Sequence, residues 1–267
     1  MTSAQPFVGV SSNALYRIDP RLSGNKLIDS DLKQYASKNE FSTLATTEKG
    51  YLAVASNKGD IRLFDRLGIN AKTHIPALGE PIIGIDVSAD GRWVLATCRT
   101  YLLLIDSRQP EGAKYEGKLG FERAFPKDSK PQPLRLGLQP AHVAQFQHET
   151  RQPLSFTPAR FNTGVDSSET SIVTATGPFI VTWSLRKILA KRKDPYTIKR
   201  YAENIMADNF KFGSDKNVIV ALPNEVNMVA KRALQIPTRE SIAGPPVTPS
   251  RRFTNRLGRD SVVNSPY

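Results

Sequence analysis

The chain has 267 residues, enough to bury a sizeable core, and carries a formal charge of +12 with one cysteine. A single cysteine excludes an internal disulfide and fits a reducing compartment. No run of 18 apolar residues is present, which argues against a transmembrane helix, and no basic stretch followed by an apolar one opens the chain as in a secretory signal, so a cytoplasmic location is expected.

In chain order, Thr2–Val10 reads as a strand already in progress and Asn13–Asp19 as half of a hairpin. Tyr51–Ser56, the turn Asn57–Asp60 and Ile61–Asp65 then give the first full copy of a pattern: apolar strand, tight turn, apolar strand. The pattern returns at Arg92–Cys98 and Tyr101–Asp106 around Arg99-Thr100. It returns again at Ser171–Thr176 and Phe179–Trp183 around Gly177-Pro178, and at Asn217–Leu222 and Glu225–Val229 around Pro223-Asn224. A further strand precedes three of the hairpins, at Ser42–Thr46, Ile82–Val87 and Asp208–Phe212, behind turns rich in Gly and Asp, which tolerate positive φ.

The second strands end at Asp19, Asp65, Asp106, Trp183 and Val229, in steps of 46, 41, 77 and 46 residues. Three of these steps fit the period of a propeller blade, roughly 40–50 residues. The long step holds an insertion, 108–153, rich in Lys, Gln, Pro and His. Val, Ile and Leu run almost unbroken through the hairpin strands. A strand with one wet face would alternate, so both faces are buried. The expected fold is all-β: a WD-repeat-like β-propeller over residues 1–234 with about four to five visible blades. Phe64-Asp65, Ile105-Asp106 and Thr182-Trp183 look like degenerate forms of the Trp-Asp pair that ends a WD blade. An open ring would expose strand edges, so the propeller is expected to be incomplete as given. A two-layer β-sandwich is the alternative.

Six strings, Asp19–Gly24, Lys33–Lys38, Thr47–Asn70, Asp86–Trp93, Pro153–Asn162 and Asp194–Tyr201, are similar to the vacuolar import and degradation protein 27 family. The resemblance spans roughly residues 8–230. It implies a C-terminal WD-repeat-like domain of a cytoplasmic eukaryotic protein, with a longer N-terminal region containing a pleckstrin-homology-like module. The chain is on that ground expected to be a fragment. The resemblance also implies an association with vacuolar import and degradation, and it brings no catalytic motif and no cofactor.

Residues 184–206 read as a basic helical connector. Ser184 is placed to cap a short helix whose Leu185, Ile188 and Leu189 share one face, Pro195 ends it, and Tyr196–Met206 forms a second short helix. The segment either is a solvated connector or presents Arg186, Lys187, Lys191, Arg192, Lys193, Lys199 and Arg200 to an anionic lipid or RNA. Only Tyr196 and Tyr201 interleave there for base stacking. Residues 235–267 are rich in Pro, Ser and Arg and are expected to be disordered. Within them Thr248-Pro249 and Ser265-Pro266 have the form of proline-directed phosphorylation sites.

Signals for catalysis are weak. His74 is read as a loop residue, and His142 and His148 are six apart, whereas a metal pair on a helix face is three or four apart. No nucleophile elbow, phosphate-cradling loop or dinucleotide fingerprint occurs. Asp60, Asp65, Asp86, Asp90 and Asp106 are expected to bond turn amides, and Cys98 to act as a small buried hydrophobe. The expected function is a non-catalytic protein-interaction scaffold without cofactor or metal, with Lys58, Arg66, Asn70 and Arg99 on its partner face. Peripheral binding of anionic lipid or RNA through 186–201 and the tail is one alternative, and a propeller hydrolase is the second.

Overall fold

In the computed structural model, which describes residues 6–24, 26–77, 79–126, 128–163, 169–208, 217–231, 234 and 236–244, every hairpin read from the sequence is an antiparallel pair. The strands fall into separate sheets, and within each sheet they lie side by side in chain order. The first sheet is β1 (Phe7–Ser11), β2 (Ala14–Ile18) and β3 (Lys33–Gln34). The second is β4 (Phe41–Thr46), β5 (Leu52–Ser56), β6 (Ile61–Phe64) and β7 (Thr73–Ile75). The third is β8 (Gly84–Val87), β9 (Trp93–Thr97), β10 (Leu102–Asp106) and β11 (Leu134–Leu136). The fourth is β12 (Arg160–Thr163), β13 (Glu169–Thr176), β14 (Phe179–Ser184) and β15 (Tyr196–Arg200). The fifth shows β16 (Asn217–Ala221) and β17 (Val226–Ala230).

The unbroken apolar runs have a direct cause. Side chains alternate along a strand, and the second, third and fourth sheets are each sandwiched between two others. On β5, Leu52 and Val54 pack into a core with Leu15 of the first sheet and Phe41 of their own, while Ala53 and Ala55 pack with Ile85 and Val94 of the third. On β9, Val94 and Ala96 serve that second core, while Trp93 and Leu95 join Phe161, Ile172 and Trp183 of the fourth sheet. On β14, Trp183 faces the third sheet, whereas Ile180 faces Val218 and Val220 of the fifth. A two-layer sandwich would leave one face of each sheet to water. Sheets packed in series, with β8 touching both β4 and β12, are blades around a common axis. Among the described residues no strand pairing joins the fifth sheet to the first.

Three expectations need correction. Tyr196–Arg200 is not a helix but the outer strand of the fourth blade, pairing Trp183↔Tyr196 and Phe179↔Arg200. Tyr196 and Ile198 point into the core between the third and fourth blades, and the intervening residues are half-buried, which is the period of a strand. His74 lies on β7, paired with Arg62, and not in a loop. The segment expected to be disordered from 235 contains α3 (Arg239–Ala243), where Thr238 and Ser241 each bond the other's backbone N–H and Ile242 is buried. The first helix, α1 (Pro140–Thr150), was not read from the sequence. It opens on Pro140, buries Phe146 edge-on against Phe179 and contacts α3. The second, α2 (Leu185–Leu189), forms as expected, with the Ser184 hydroxyl accepting from the Lys187 N–H; Leu185 and Ile188 are buried but Leu189 is exposed.

Candidate functional site

Antiparallel strands laid down in chain order place successive turns at opposite ends of a blade. The turns β5–β6, β9–β10 and β13–β14 therefore share one end, the hairpin end. The links β4–β5, β6–β7, β8–β9, β10–β11 and β14–β15 share the other, the connector end. Lys58 and Arg99 are at the hairpin end. Arg66 and Asn70 follow β6 and lie at the connector end. The four residues expected on one partner face are thus split between two ends, because only the strand count within a blade fixes which end a loop occupies.

At the hairpin end the β5–β6 turn is held from within. The Ser56 hydroxyl bonds the Asp60 carboxylate and accepts from the Lys58 N–H at 3.1 Å and the Asp60 N–H at 3.3 Å. The other Asp60 oxygen meets Arg62 Nε at 3.2 Å and His74 Nε2 at 3.1 Å. Burial pushes the Asp60 carboxyl up, but the Ser56 hydroxyl, the Arg62 guanidinium and His74 outweigh it, and the group titrates below the usual carboxylate range. Lys58 reaches back to the Lys38 carbonyl and to Glu40. Arg99 is exposed, and its carbonyl accepts from the Phe156 N–H at 2.9 Å.

Ser, His and Asp here are the residue types of a hydrolytic triad, but not its geometry. Ser56 and His74 both address the carboxylate of Asp60, so no imidazole reaches the hydroxyl, and Ser56 is fully buried. The set fixes a turn. Asp90 does the same, accepting from Ser88 Oγ at 2.6 Å and from the Arg92 N–H at 2.9 Å. Asp106 accepts from the Arg108 N–H at 3.0 Å and from two guanidinium groups. Asp19, gripped by the Arg21 side chain and backbone, is lowered to about 2. Asp65 pairs with Lys72 at 3.6 Å across the β6–β7 link. Asp86 differs from the expectation: it sits within β8, accepts from the Phe161 N–H at 2.8 Å and faces Arg160, so it ties two innermost strands together. The spacing Ser-x-x-x-Asp before an apolar strand was the available signal for the Ser56–Asp60 turn. Nothing local in the sequence marks Arg160 as Asp86's partner.

The connector end carries two clefts. One, of about 470 Å³, is lined by Arg108, Gln109, Glu116, Phe125 and Lys130 from the insertion. The other, of about 400 Å³, is lined by Tyr51, Asp65, Lys72, Lys118, Glu122 and Arg123, with the Tyr51 hydroxyl donating to Glu122 at 3.0 Å. Both mix charges of either sign. Among the described residues no group of three His, Cys, Asp or Glu could hold a metal ion, and no helix is long and apolar enough to cross a membrane.

The basic segment also divides. Lys199 lies 5.2 Å over the Tyr201 ring, where burial lowers its pKa. Arg200 bonds the carbonyls of Ile242 and Gly244 at 3.2 and 3.3 Å and approaches Glu149 at 3.6 Å, joining β15 to both α1 and α3. Arg200 is thus engaged within the fold, and Lys199 is half-buried beside Tyr201. Arg186, Lys187, Lys191, Arg192 and Lys193 remain together in the β14–β15 link. Tyr196 and Tyr201 are buried, the first with its hydroxyl against the Gln139 N–H and His142. Thr248 and Ser265 lie outside the described residues.

Residues 1–248 match the family model described as the VID27 C-terminal WD40-like domain. The protein of Schizosaccharomyces pombe called vacuolar import and degradation protein 27 is 55% identical over all 267 residues. The Saccharomyces cerevisiae protein of the same name is 46% identical over 90% of the chain. The chain spans 32% and 31% of the length of these two relatives. The solved β-propeller domain of Myceliophteria thermophila Cps50 (Swd1) is 13% identical and superposes with a TM-score of 0.52, covering 82% of this chain and 59% of that one. At that identity the likeness concerns the fold alone.

Proposed function

Since the chain belongs to the VID27 C-terminal WD40-like family, we propose that it is a non-catalytic interaction scaffold serving vacuolar import and degradation of cytosolic proteins. The names of the two relatives support the process, and a cytoplasmic location is part of the same proposal. The observation that carries the scaffold reading is the hairpin end itself. Strands β5 and β9 are buried at every position, so the β5–β6 and β9–β10 turns project from a support with almost no freedom. A rigid display surface loses little entropy when a partner docks. Lys58, paired with Glu40, and the exposed Arg99 are the contacts this end would offer a protein partner, and Arg66 and Asn70 offer a second contact at the connector end. The hydrolase alternative receives no support from Ser56, Asp60 and His74, whose mutual geometry serves the turn.

The test is quantitative affinity purification of the wild-type protein against a Lys58→Glu/Arg99→Glu variant, with circular dichroism to verify that both are folded. Loss of a defined set of partners, together with slowed vacuolar turnover of the cargo they include, is expected. Retention of the same partners at the same yield would contradict the assignment.

A further inference from the structure

The β14–β15 link is more than a connector. Its base is closed by the Ser184 N–H on the Pro195 carbonyl at 2.8 Å, and by Gln139 on the Asp194 carboxylate at 2.8 Å. Leu185 and Ile188 anchor α2 in the core between the third and fourth blades. Lys191 adopts φ of 50°, which turns the chain back so that the Arg192 N–H bonds the Lys187 carbonyl at 3.0 Å. The run Lys191-Arg192-Lys193 is thereby folded against Arg186 and Lys187. None of these five side chains has a hydrogen-bond or ion-pair partner among the described residues, and the one acid in the link, Asp194, is already engaged by Gln139. Beside them Leu189 is 45% exposed at the end of α2.

We propose that this lobe is a membrane-surface contact: its five cations meet the headgroups of an anionic lipid bilayer while Leu189 enters the headgroup–acyl boundary. Three features select this partner. Unpaired cations on a rigid lobe complement a negatively charged surface, and no flexible segment has to be ordered on contact. An exposed leucine amid cations is the side-chain pairing of interfacial segments and has no use on a phosphodiester backbone. RNA binding needs aromatic faces for bases, and the two tyrosines that could supply them, Tyr196 and Tyr201, are buried. The lobe is at the connector end, so a bilayer there leaves the hairpin end open to a protein partner.

Co-sedimentation of the full chain with phosphatidylserine–phosphatidylcholine vesicles, and with pure phosphatidylcholine vesicles, tests the proposal. Binding is expected to the first and not to the second, and to fall steeply with added salt. Each neutralised cation should weaken partitioning about fivefold, from about 1 kcal/mol per charge. Arg186→Gln/Lys191→Gln/Arg192→Gln/Lys193→Gln should therefore lose two to three orders of magnitude. Leu189→Ser should lose several-fold with the salt dependence unchanged. Lys199→Gln should bind as wild type, and so should a variant with the arginines at 251, 252, 256 and 259 changed to Gln. Equal binding by the fourfold lobe variant, loss of binding only on changing the tail arginines, or no binding to anionic vesicles at low salt would overturn the proposal. So would displacement of the vesicles by single-stranded RNA at equal charge, which would assign the lobe to nucleic acid.

Discussion

Replacing Gly59 by alanine probes how closely the hairpin end is packed. Gly59 has φ of +88°, and a Cβ built there would stand 2.8 Å from the Glu80 carbonyl oxygen in the link between the second and third blades. Two costs add. Holding alanine in the left-handed region costs about 1–2 kcal/mol. Forcing a methyl group against a backbone oxygen that cannot swing away costs about 1–3 kcal/mol more. Gly50 supplies the control: its φ is +81°, but nothing lies within 4 Å of its added Cβ, so Gly50→Ala bears the conformational cost alone. Urea denaturation should show Gly59→Ala destabilised by about 2–5 kcal/mol and Gly50→Ala by about 1–2 kcal/mol. In thermal melts, a chain of this size should shift by about 2–4 °C per kcal/mol. Equal losses for the two variants would refute the reasoning, because they would mean that the Glu80 carbonyl does not close over the turn.

Phe146→Ala should cost about 3–5 kcal/mol in urea denaturation, since it removes a buried ring that holds α1 against β14; a loss under 1 kcal/mol would mean that the helix is not docked there. Arg200→Ala should accelerate amide exchange in 239–243 at least tenfold while β14 is unchanged, since Arg200 bonds the last carbonyls around α3. Stability should fall on acidification. Asp19 titrates near 2 and Asp60 below its ordinary value, while an unfolded carboxylate titrates near 3.9. Folded values below unfolded ones give a stabilisation that is complete above about pH 4 and is lost as pH falls through the folded values. The urea midpoint should therefore drop between about pH 4 and 2, less steeply in Arg21→Gln, and a flat profile would count against both carboxylate networks.

The hairpins were legible because both strands of each are apolar throughout and are separated by turn residues. That pattern reports burial between two neighbouring sheets. The outer strands were harder. β11 has three residues, with Leu134 exposed, and offers too little periodicity to stand out inside a polar insertion. In β15 the residues Lys199 and Arg200 read as part of a basic run, although the alternation of Tyr196 and Ile198 was present. α1 was hidden by its Gln and His content; Pro140 at its first position and the spacing of Val143 from Phe146 were the available signals. The separation of Lys58 and Arg99 from Arg66 and Asn70 depends on strand order within a blade, which no single segment encodes. The same holds for Arg200, whose partners are 42 and 44 residues away in the chain.

Hydrogen–deuterium exchange along the full chain tests the blade architecture most directly. If β11 and β15 are outer strands, the amides in 134–136 and 196–200 that face β10 and β14 are protected together with their partners there, and the turn at 99–100 exchanges at once. Immediate exchange across 134–136 and 196–200, with protection confined to the central hairpins, would contradict four-stranded blades and with them the assignment of each loop to its end of the propeller.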